Sequence, residues 1–259
     1  MEAKLSKLNQ SVEKTMKLVE ILSSSHTPMK LQDISSAAGI PNSTALRMLN
    51  TLLTLGYVNQ DEDTLRYSLS LKFAYIGECA TRQVNISRTA HPDLIRLARM
   101  TGECVCFAVE QNSEVVYLDV ITEQANNILT VTQRIGKRAP LYCTGIGKLI
   151  LTNYSQDALM NYMNNTNLIR YTEKTIVTLV ELQAELAKIN HLGYAVDDEE
   201  CDLGARCLAA PIRNYTGHVV AGISVTAPAL RLTPERIKSL APTVLDAAFS
   251  ISKALGYQG

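Results

Sequence analysis

The sequence predicts a two-domain α+β chain: an N-terminal winged helix-turn-helix, a linker helix, and a larger C-terminal domain mixing strands and helices. Three observations carry this prediction. Residues 31–56 hold two short amphipathic stretches of helical spacing, separated by Gly39, Ile40 and Pro41. Two short β-prone runs follow, at Tyr57 and Val58 and again over 65–69, around the acidic Asp61, Glu62 and Asp63. From His91 onward, strand-like and helix-like periods alternate without a strict βαβ order.

Taken in order, residues 11–25 place Val12, Met16, Val19, Ile21 and Leu22 at helical spacing, with Ser11 as a good N-cap, and His26-Thr27-Pro28 ends the run. Leu31, Ile34, Ala37 and Ala38 form the apolar side of a second helix, and Gly39 suits its C-terminal position, where a left-handed backbone is needed. Pro41 breaks that helix, and either Asn42 or Ser43 caps the next, which runs to about residue 55 with Leu46, Leu49, Leu52 and Leu53 inward. Gly56 stops it, and the two β-prone runs form a wing. Residues 71–90 read as helix and join the domains, so the boundaries fall at 1–72, 73–90 and 91–259.

Beyond them, a helix over about 92–101, capped by His91, ends at Gly102. CVCFAVEQ and EVVYLDVIT are strands turning at Asn112 and Ser113, and ILTVTQ is another strand. Helices follow over 145–153, about 155–163 and 178–191, the last stopped by Gly193. RCLAAPIRN and VVAGISVTAP form a hairpin across Tyr215, Thr216 and Gly217, and a final helix runs from Pro234 to about Leu255.

Composition narrows the class. No apolar run reaches the ~18 residues of a membrane span, and the polar start MEAKLSKLNQ lacks a signal-peptide stretch, so a cytoplasmic protein with no membrane partner is expected. The six cysteines form no CxxC pair and no zinc spacing, which predicts reduced, buried thiols. Net charge is zero; residues 1–90 hold ten Lys and Arg against eight Asp and Glu, so global charge does not argue for nucleic acid. The local arrangement does. The helix that follows Pro41 turns Asn42, Ser43, Thr44, Arg47 and Asn50 outward. Arg pairs bidentately with guanine and Asn with adenine in the major groove, while Ser, Thr and helix N-terminal amides reach phosphates. The plainer reading of the same face is a solvated polar surface; the wing, the preceding helix and the position early in the chain favour DNA.

Over almost its whole length the chain resembles the IclR family of bacterial transcription regulators. The resemblance rests on LQDISSAAGIPNSTALRMLNTLLTLGYV and RYSLSLKFAYIG in the head, and on TGECVCFAVEQNSEVVYLD, APLYCTGIGKLIL, GYAVDDEECDLGARCLAAPI and VVAGISVTAP beyond it. Arg213-Asn214 departs from the aromatic residue that the family often carries there. The resemblance implies a GAF-like effector domain after the linker helix, homodimers or tetramers on partly palindromic operators in double-stranded DNA, and a small organic acid effector. RYSLSLKFAYIG and PLYCTGIGK bring a closer likeness to members controlling sugar-acid catabolism, so a sugar acid or keto acid is the expected class, with no cofactor and no metal.

The effector site has two sources. Read from the residues, CTGIGK puts Gly145 and Gly147 at a helix start suited either to an anion or to close packing. The acidic run 197–200 is, from the residues alone, a solvated loop. The resemblance instead places Asp197 in the effector site, with Cys207 beside it, Ser224 and Thr226 on the following strand, and Ile128, Val131, Ile146 and Ala205 as apolar wall. A carboxylate there suits a ligand hydroxyl or a hydrate. Two rival functions are a metal sensor using Asp197 and Cys207, and a Cys-dependent enzyme using Cys143 or Cys207 on small acids; none of the four histidines lies in a pairing motif, so no base partner appears and catalysis is not expected.

Overall fold

The computed structural model describes residues 9–25, 27–83, 85–122 and 133–259. The chain divides into two compact units, Met1–Val84 and Asn85–Gly259.

The first unit opens with α1 (Gln10–Ser24), α2 (Leu31–Ala38) and α3 (Asn42–Thr54). Asn9, not Ser11, caps α1: its Oδ1 accepts the amides of Ser11 and Val12. Leu18, Val19 and Leu22 are the buried residues of α1, whereas Val12 and Met16 are exposed, because the helical core forms on the last turns of the helix. α2 buries Ile34, Ser35 and Ala38 and ends at Gly39, whose φ of 68° is the left-handed value expected there. The amides of Gly39 and Ile40 return to Ser36 O and Ser35 O, a Schellman turn, and Ile40 packs half-buried against the core. Pro41 holds the N-cap position of α3 without a side-chain bond. Asn42 does not cap, because its Oδ1 accepts from Ser35 Oγ on α2. α3 buries Ala45, Met48, Leu49 and Leu52. Leu46, expected inward, is 38% exposed, since that inward stripe is complete without it.

β1 (Val58–Gln60) and β2 (Tyr67–Leu69) pair antiparallel, with Asn59 opposite Ser68. The second strand starts later than the sequence suggested because Leu65 has a φ of 54° and belongs to the turn, where Asp61 Oδ1 accepts the Thr64 amide at 2.7 Å. The stretch 71–90, read as one helix, is two: α4 (Lys72–Gln83) ends this unit and α5 (Ile86–Thr101) starts the next. Asn85 caps α5 by accepting the Arg88 amide. Pro92 lies inside α5 instead of starting a new helix, and His91 is no cap: its Nδ1 sits 2.6 Å from Asp119 Oδ2. Burial of Ala90, Leu94, Leu97 and Ala98 offsets the roughly 3 kcal/mol that an internal proline costs.

The second unit continues with β3 (Cys104–Gln111), β4 (Glu114–Ile121), β5 (Arg138–Pro140), α6 (Gly145–Leu151), α7 (Gln156–Asn165), α8 (Leu179–Leu192), β6 (Ala195–Asp198), β7 (Ala205–Arg213), β8 (Val219–Pro228) and α9 (Pro234–Ala254). The strands form one antiparallel sheet in the order β5-β4-β3-β8-β7-β6. Asn112 and Ser113 make the β3–β4 turn with positive φ at both, and Asn214 closes the β7–β8 turn by accepting the Thr216 and His218 amides. β5 had no sequence signal, being three residues long and ending in a proline. The strand expected at ILTVTQ begins outside the described residues.

Helices cover both faces. Cys104, Cys106, Tyr117 and Ala209 pack with α6, α7 and α8; Val105, Phe107, Leu208, Ala210 and Val225 pack with α5 and α9. This burial on two sides explains the near-continuous apolar runs of β7 and β8. α6 lies flush on the sheet: a Cβ at Gly222 would fall 2.9 Å from the Ile146 side chain. Among the described residues, no helix is long and apolar enough to cross a membrane.

Candidate functional site

In the first unit, Asn42, Ser43, Arg47 and Asn50 are exposed and Thr44 is half-buried, as helical geometry requires once positions 45, 48, 49 and 52 turn inward. Ser43, Leu46, Arg47, Asn50, Thr51 and Thr54 line one shallow concavity along α3. The hydroxyls of Thr51 and Thr54 return to Arg47 O and Asn50 O, and the Asn42 carbonyl oxygen is held by Ser35. That leaves the Ser43 hydroxyl, the Arg47 guanidinium and the Asn50 amide facing outward on a helix with no carboxylate.

In the second unit, strand register builds the pocket. Asp197 on β6 faces Cys207 on β7, Cys207 faces Thr226 on β8, and Thr226 faces Cys104 on β3. The next row sets Ala209, Ser224 and Cys106 side by side. Period-two alternation directs both rows toward the face that α6 covers. A cavity of about 30 Å³ is enclosed there by Asp197, Cys207, Ser224, Thr226, Ala205, Gly145 and Ile146, all named from the sequence, together with Tyr117, Gln133, Lys137, Thr144 and Arg206, which were not. Ile128 and Val131 lie outside the described residues.

The two glycines of CTGIGK differ in role. Thr144 caps α6: its Oγ1 accepts the Gly147 amide at 3.2 Å and donates to Pro140 O at 2.7 Å. A Cβ on Gly147 would lie 2.3 Å from Leu141 O, so that glycine is required by packing. Gly145 borders the cavity and lets α6 approach Ala209 and Cys207.

Asp197 Oδ1 accepts the Glu200 amide at 2.8 Å and the Cys201 amide at 3.4 Å. Burial, reinforced by the Glu200 carboxylate, pushes its carboxyl up to about 7 despite those amides and Lys148. Burial also pushes the Cys207 thiol up to about 12, so at neutral pH it is a neutral hydrogen-bonding thiol and not a nucleophile. The Cys143 thiol is raised too, by its contact with Cys201 and by burial. The Gln133 Oε1 atom at the cavity is buried without a protein partner. Among the described residues, no cluster of three or more His, Cys, Asp or Glu side chains could hold a metal.

Behind the pocket stands a group that the sequence analysis left unassigned. Lys148, fully buried on α6, donates to Val196 O at 2.7 Å, contacts Glu200, and lies 3.3 Å from Glu185 on α8. Nearby carboxylates, Glu200 foremost, hold its pKa above the ordinary lysine value against the opposing effect of burial. A lysine inside GIGKLIL is the signal that could have found it, because a charge in an apolar run needs a buried partner.

Comparison with known proteins agrees with the geometry. Residues 11–62 match the IclR helix-turn-helix domain, and residues 79–253 match the bacterial transcriptional regulator IclR C-terminal family. The HTH-type transcriptional regulator KdgR of Escherichia coli (strain K12) is 33% identical over 257 residues, covering 98% of this chain and 97% of that one. The transcriptional repressor IclR of the same organism is 30% identical over 249 residues, covering 95% and 90%. Among solved structures, the Thermotoga maritima IclR superposes with a TM-score of 0.63 at 29% identity, over 96% of this chain and 99% of that one. The Agobacterium tumefaciens repressor BlcR reaches 0.77 at 22% identity over 98% and 100%, a likeness of fold.

Proposed function

Because the chain belongs to the IclR family of bacterial transcriptional regulators, we propose that it is a repressor of catabolic genes controlled by a small hydroxy or keto acid. The observation that carries this reading is the buried carboxyl of Asp197 in a cavity lined by neutral polar groups together with Lys137, Arg206 and Asp202. Ser224, Thr226, Cys207 and Gln133 supply neutral hydrogen-bonding groups, Asp197 meets a ligand hydroxyl, and Lys137 offers positive charge to the ligand's carboxylate. Gly145, Ile146 and Ala205 form wall. The repressor names of relatives support the reading as a repressor.

In this reading residues 1–72 are a winged-helix head, with Ser43, Arg47 and Asn50 reading bases and Asn42 and Thr44 near phosphates. Residues 73–90 link the head to a GAF-like effector domain over 91–259, and homodimers or tetramers engage a partly palindromic operator. The six-stranded antiparallel sheet with helices on both faces supports the GAF-like description. A ligand-driven switch requires the acid to bind one arrangement of the protein more tightly than the other.

A thermal-shift screen of the purified protein with small hydroxy and keto acids tests this proposal. At a ligand concentration near 100 Kd, one acid should stabilise the protein by roughly 2.7 kcal/mol, and Asp197→Ala should abolish that shift. A variant that keeps the shift, or a screen without any hit, would sink the reading.

A further inference from the structure

Leu46 stands on the outward side of α3, 38% exposed, where the sequence pattern had assigned it to the core. The core does not need it. Ala45, Met48, Leu49 and Leu52 are each at most 8% exposed and complete the inward stripe of α3. Leu46 instead shares the outer concavity with Ser43, Arg47 and Asn50. Helical spacing sets it one turn after Ser43 and one turn before Asn50, beside Arg47. It is thus a large apolar group in the middle of the surface whose polar members match base edges.

The major groove offers one apolar group at base edges, the C5 methyl of thymine, and aliphatic side chains are its partners. We propose that Leu46 is a specificity-determining residue that packs on a thymine methyl, next to the bases met by Arg47 and Asn50. This rests on the reading that α3 enters the major groove, and adds to it a demand for thymine that the polar residues do not impose. The alternative occupant of the same apolar spot is a second copy of the chain, which would leave the DNA sequence preference untouched.

The test uses the full-length protein and an operator fragment recovered from genomic DNA by the wild-type protein, at one fixed salt concentration. Each thymine is replaced in turn by deoxyuridine, which removes only the methyl group. For the wild type, at least one such replacement should weaken binding about fourfold, the value of one buried methyl. Leu46→Ala should bind the unmodified operator more weakly by at least that factor and should be indifferent to deoxyuridine at that position. Leu46→Met should retain the sensitivity. Alanine at an exposed helical position preserves the helix, and a melting curve checks the fold. A Leu46→Ala variant with the wild-type deoxyuridine profile, or a wild type indifferent at every thymine, would overturn the proposal. Arg47→Ala separates the underlying reading: specific binding should fall about tenfold or more while binding to unrelated DNA persists, and an unchanged operator affinity would refute the head assignment itself.

Discussion

Asp197 is held near neutrality by burial, and this has a consequence for stability. Its native pKa of about 7 lies above the ordinary aspartate value of 3.8, so the native state binds the proton more tightly than the unfolded chain does. The stability from the protonated form is complete below about pH 4 and is lost as pH rises through 7. Glu200, also raised by burial, adds to the same trend, and the Lys148 ammonium opposes both. Asp197→Asn keeps an oxygen for the Glu200 amide and has no proton to lose. Melting temperatures measured from pH 4 to 8 should therefore fall more for the wild type than for Asp197→Asn; parallel profiles would contradict the assignment. At this scale the sequence was informative where a pattern singled a residue out. Asp197, Cys207, Ser224 and Thr226 were named through the family resemblance, since the acidic run alone reads as a solvated loop, and strand register puts them in adjacent rows. Tyr117 and Gln133 were not legible, because their approach to the cavity depends on how distant strands and helices pack.

Among the elements, α6 carries the most constraint. Its capping threonine, its two close-packed glycines and its buried lysine each tie it to a different neighbour. Lys148→Met would leave the Glu200 and Glu185 carboxylates without their buried cation, at a cost of about 3–5 kcal/mol. Urea unfolding at pH 7 should show that loss, and adding Glu200→Gln should recover part of it. If Lys148→Met unfolds at the wild-type midpoint, the triad does not hold the pocket wall. Element boundaries followed local chemistry where capping was strong, as at Gly39 and at Gly193. They failed at Pro92, where tertiary burial outweighs the helix-breaking residue, and at β5, too short to show a period. The polar side of α3 was legible from its spacing, while the outward turn of Leu46 was not, since leucine at helical spacing suggests the core whichever way it points.

On the scale of the whole molecule, zero net charge says little about partners. A helix α3 with one arginine and no acid on it makes its own local case. We propose that the Asp197 pocket in one unit controls DNA binding by the helix-turn-helix in the other. Such control needs a coupling of only about 1–3 kcal/mol, a change in DNA affinity of roughly 5- to 150-fold. The decisive measurement is the anisotropy of a labelled operator fragment titrated with the protein, with and without a saturating acid from the thermal-shift screen, for the wild type and for Asp197→Ala. The acid should weaken binding of the wild type within that range, while Asp197→Ala should bind the operator as tightly as the wild type does without ligand and ignore the acid. An Asp197→Ala variant that binds the operator and still responds to the acid would contradict the proposal.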